Sequence, residues 1–132
     1  MRHLIEEFFR VIGLPHVVAG RGEYYTAVAG TCQLRDQLTA LMLEELTLPD
    51  AGGALHLSRL LSPEQMEILE ALPLPKPNRA EVIVAHVGIA QVFLPPARAL
   101  AARLDLEWPS AFEAATRRVL AGHFGAEIEI RW

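Results

Sequence analysis

The chain has 132 residues, 52% of them hydrophobic and only 21% charged, with a formal net charge of −4. That length is one ordinary domain, 1–132, with room for a single proper core. The acidic balance argues against a general nucleic-acid binder, and the single cysteine, Cys32, allows neither an intrachain disulfide nor a cysteine-rich metal site.

A mean hydropathy of +0.23 is high for a small soluble chain. No long uncharged span accompanies it, so a membrane protein is not expected. The surplus reads instead as one apolar face kept for another domain or subunit. The five histidines are scattered, with no i, i+4 pair to hold a metal. Residues 1–3 lead straight into Glu6 and Glu7 without a basic-then-apolar leader, which makes the cytoplasm the default location.

Taken in order, Leu4, Ile5, Phe8, Phe9 and Ile12 form one stripe of a short first helix ending at Gly13. Residues 16–22 hold two glycines and read as a connector, briefly extended at most. From Glu23 to Leu46 the pattern is helical throughout. Ala27, Thr31, Leu34, Leu38, Leu41 and Met42 line one face, with Gln33, Asp36, Ala40 and Glu44 opposite. Residues 49–53 are a loop by composition, and 55–61 hold a turn or two of helix.

Ser62, Pro63 and Gln65 make a capping box with proline at the first helical position, opening a helix to about Leu72. A proline-spaced connector to Pro77 follows. Asn78 with Glu81 repeats the capping logic and launches the central element, residues 78–103. Its first half is apolar on every side, so it has to be sheathed by the other helices. At thirteen residues that half is too short to span a bilayer, which takes about 20. Pro95 and Pro96 remove two backbone donors, so the helix is expected to be kinked or broken there.

Ser110 with Glu113 suggests a third box before a last helix that closes at Gly122 or Gly125. The alternating tail 127–132 is suited to an extended conformation. The sum is an all-α bundle of five or six helices around a buried central one.

No nucleophile elbow, phosphate loop or His-Glu-x-x-His motif is present. The Gly20-Arg-Gly-Glu-Tyr-Tyr25 stretch precedes a helix, where backbone N–H groups can hold an anion, although a plain turn explains it as well. Arg35, beside the apolar stripe, either pairs with a carboxylate of the fold or points its planar fork at a ligand. His86, in the buried helix, is more readily a neutral, hydrogen-bonded core histidine than a ligand contact. Arg118 and His123 have the Arg-x4-His spacing of the HEPN helical domains, some of which cut RNA. There the arginine would stabilise the phosphorane and the histidine move a proton. Both residue types are also favoured near a helix C-terminus by the dipole alone.

The run His3-Leu-Ile-Glu-Glu-Phe-Phe, then Gly20-Arg-Gly-Glu-Tyr, then Leu34-Arg-Asp-Gln-Leu with Leu41-Met-Leu-Glu-Glu, resembles the C-terminal helical part of bacterial nucleotidyltransferase-family proteins. These are the proteins related to the aminoglycoside and lincosamide nucleotidyltransferases. Phe93-Leu-Pro-Pro-Ala-Arg98 through Leu104, followed by Leu106-Glu-Trp-Pro109, is similar to the closing segment of that region. The likeness covers most of the chain in diffuse hydrophobic patterns rather than catalytic signatures.

The resemblance implies a substrate-binding or dimerisation module packed against a nucleotidyl-transfer domain, with Glu23, Tyr24 and Arg35 as the substrate contacts. Magnesium and a nucleoside triphosphate would belong to that other domain, whose paired aspartates have no counterpart here beyond Asp105 and Glu107 in a late turn. No cofactor, metal or catalytic residue is therefore expected in this chain alone. Its partner would be the catalytic domain or a second copy, with a small-molecule acceptor. A ribonuclease or toxin using Arg118 and His123, or a plain protein-interaction bundle, are the alternatives.

Overall fold

A computed structural model describes residues 1–46 and 56–125. The expected loop at 49–53 and the alternating tail at 127–132 lie outside the described residues. Within them are α1 (Arg2–Ile12), α2 (Pro15–Gly20), α3 (Tyr24–Glu45), α4 (Leu57–Leu60), α5 (Pro63–Ala71), α6 (Arg79–Arg103) and α7 (Ser110–Phe124). Five are substantial helices and two are short, and no strand occurs among the described residues. The all-α bundle is as the periodicities require.

The α1 stripe buries Ile5, Phe8, Phe9 and Ile12, and α3 buries Ala27, Thr31, Leu34, Leu38, Leu41 and Met42. Both meet α6, whose Ile83, Ile89, Phe93, Leu94 and Leu100 form the middle of the core. The rings of Phe8 and Phe93 stack with centroids 3.7 Å apart. Each such side chain contributes roughly 1.5–3 kcal/mol on burial, which is why α3 and α6 make the most extensive helix pair.

Two expectations need correcting here. Residues 15–20 are not a connector but the short helix α2, with Pro15 in its first turn, where the missing N–H is no loss. Its packing on α3 and α7 outweighs the cost of a glycine at its last position.

Of the kink or break expected at Pro95 and Pro96, the break does not occur: α6 is a single helix of 25 residues with both prolines inside it. The prolines cost two backbone bonds, roughly 3 kcal/mol each in a helix interior. Phe93, Leu94, Ala97, Leu100 and Ala101, all buried around them, hold the helix together. By length and composition α6 could therefore cross a bilayer, although half of its most apolar window is packed inside the bundle.

The caps divide the same way. Ser62 accepts from the Gln65 N–H and Gln65 accepts from the Ser62 N–H, a complete box. Asn78 accepts from the Glu81 N–H, while Glu81 reaches the Lys76 N–H and the Asn78 side-chain amide. The third box does not form. Pro109 takes the cap position, Ser110 is already helical, and Glu113 is drawn elsewhere. Gly125, at φ +53, ends α7 in a conformation that suits glycine.

Candidate functional site

Among the described residues, an open-mouthed concavity lies where α2 and α3 cover the first half of α6. It has a volume of about 210 Å3 and its walls are mostly aliphatic, including Val11, Leu14, Pro15, Val18 and Ala27. His86 forms part of its lining. This side chain is only 3% exposed, yet its hydrogen bonding is one-sided.

Nδ1 lies 2.8 Å from the Val82 carbonyl and 3.3 Å from the Thr31 hydroxyl. A carbonyl can only accept, so Nδ1 carries the proton and Nε2 is the acceptor. Thr31 donates to the Ala27 carbonyl and leaves a lone pair for the imidazole. Burial pushes the His86 pKa down, against a smaller upward pull from the Val82 bond, so the ring is held neutral. Nε2 faces Gly30 of α3, where a Cβ would stand 4.0 Å from it and nothing else would come as near. A larger residue at Gly30 would occupy the space in front of that nitrogen.

The residues anticipated as substrate contacts do not gather there. Glu23 is the exposed N-cap of α3 and Tyr24 begins the helix. Arg35 lies eleven residues beyond Tyr24, about 17 Å along the axis. Its guanidinium donates to the carbonyls of Leu69 and Leu72, both at 2.9 Å. It satisfies orphan carbonyls at the end of α5, a structural role played through carbonyls rather than a carboxylate.

Arg118 and His123 are both exposed on α7. Five residues apart, they point about 140° away from each other around the helix. The His123 ring instead neighbours His16 of α2, with centroids 4.9 Å apart. Among the described residues no three His, Cys, Asp or Glu side chains come together as a metal site.

A second polar centre was not anticipated from the sequence. Glu113 is buried and receives the Trp108 indole N–H and the guanidinium groups of Arg98 and Arg117. Arg98 also lies over the Trp108 ring, 4.4 Å from its centroid. With every partner internal, this cluster is a brace between α6, the 104–109 connector and α7. One sequence signal did point to the His86 site: a glycine in mid-helix, which costs about 1 kcal/mol against alanine and so marks a spatial requirement.

Comparison with family models, curated proteins and solved structures finds no match to this chain. What the geometry defines among the described residues is an all-α bundle with a largely apolar pocket that His86 helps to line.

Proposed function

We propose that this chain is a helical substrate-binding or dimerisation module of a nucleotidyltransferase-type protein, working against a nucleotidyl-transfer domain and not catalysing transfer by itself. The supporting observation is the uncovered strip of α6. Ala80, Val84, Gln91 and Pro95 are exposed on one helical face opposite the core-facing side chains, with Val87 and Gly88 half-buried between them. Val84 is 63% exposed in the middle of the chain's most apolar helix. Leu74, in the connector leading to α6, is 70% exposed. An apolar strip on a central helix is what a module leaves bare when its remaining cover comes from a partner domain. The catalytic domain implied by the resemblance is the occupant this reading assigns to it.

The test is reconstitution. The chain, a nucleotidyl-transfer domain of the class the resemblance implies, magnesium and a labelled nucleoside triphosphate are combined, and label transfer to acceptor is followed. Transfer is expected only when both proteins are present, and to fall when Val84→Glu replaces the native chain. Transfer by this chain alone, or full activity of the other domain without it, would overturn the reading.

A further inference from the structure

We propose that the cavity between α2, α3 and α6 is a binding site for a small neutral ring compound with one hydrogen-bond donor, of the phenol or indole class, seated on Nε2 of His86. This proposal is independent of the docking role given to the other face of α6.

Size sets the first limit. An apolar cavity of about 150 Å3 takes up benzene, whereas drug-sized ligands occupy roughly 300 Å3 or more. At about 210 Å3, the space suits one ring or a compact fused pair.

Charge sets the second. No charged side chain lines the cavity, and Thr26 and Gln33 supply polarity from exposed positions. An ionic ligand would have no counter-charge in it.

The third limit is chemical. With the Nδ1 proton committed to Val82 and Thr31, the ring presents a lone pair and no proton. No protein donor among the described residues reaches Nε2, so a ligand O–H or N–H could bond to it where a hydrocarbon could not. Gly30 leaves the approach to that nitrogen open, since any Cβ there would stand in front of it.

The experiment is calorimetric titration of the native chain with p-cresol, indole and toluene, repeated on Gly30→Leu. 15N-histidine spectra are recorded alongside. We expect p-cresol and indole to bind at least about tenfold more tightly than toluene, the factor one added hydrogen bond supplies. The His86 Nε2 resonance should shift on adding p-cresol. Gly30→Leu should lose binding of all three. Should that variant fail to fold, Gly30→Ala, whose Cβ stands at ordinary contact distance, is expected to fold and to bind p-cresol severalfold more weakly. Toluene binding as tightly as p-cresol, an unmoved Nε2 resonance, undiminished binding by the glycine variants, or no binding to the native chain would each overturn the proposal.

Discussion

Trp108 donates its indole N–H to the carboxylate of Glu113, five residues further along, at 2.6 Å. The contact folds the 104–109 connector back on the first turn of α7, and Arg98 ties both to α6. Glu113→Ala removes the acceptor for three donors at once. Arg98 and Arg117 are 44% and 38% exposed and can turn to water, which limits the loss. We expect a destabilisation of about 1–2 kcal/mol, read by urea unfolding, with quenched or red-shifted Trp108 emission in the folded state.

Acid should weaken the fold in two stages. Burial pushes the His86 pKa down from 6.5. The unfolded chain therefore takes up that proton first as pH falls, and the stability this residue contributes is complete above 6.5 and declines below it. Burial also pushes Glu113 up, but bonds from Trp108, Arg117 and Arg98 outweigh it and hold the carboxyl below 4.5. Its contribution is present above that value and lost as pH falls through the folded pKa. Urea midpoints measured from pH 7.5 to 3.5 should fall throughout, with the decline above pH 5 reduced in His86→Gln.

The two serines that look alike in sequence should behave differently. Ser62 caps α5 through a reciprocal box, and Ser62→Ala is expected to cost about 1 kcal/mol. Ser110 accepts no cap bond, so Ser110→Ala should leave the thermal midpoint within error of the native value.

This contrast shows what the sequence could convey. Helical periodicity depends on local spacing, and it correctly separates the buried and exposed faces of α3, from Ala27 to Met42 and from Gln33 to Glu44. Capping at Ser62 and Asn78 is local too. Where the outcome turned on contacts distant in sequence, local signals were insufficient. Pro95 and Pro96 announce a break, but the burial of Phe93, Leu94, Ala97 and Leu100 overrides it. Glu113 is three residues after Ser110, yet Trp108, Arg98 and Arg117 claim it. Arg35 finds its acceptors 34 and 37 residues away. The approach of Gly30 to His86, 56 residues on, is likewise set by the packing of α3 on α6.

The exposed face of α6 is tested most directly by the reactivity of a thiol placed on it. Val84→Cys is made in a Cys32→Ser background, since the native cysteine is itself exposed. Its rate of modification is measured with and without the nucleotidyl-transfer domain. The free chain should react at the rate of an open surface thiol, and the partner should slow it at least about tenfold, as burial at an interface core requires. A complex that forms while the thiol keeps its free rate would contradict docking through this face.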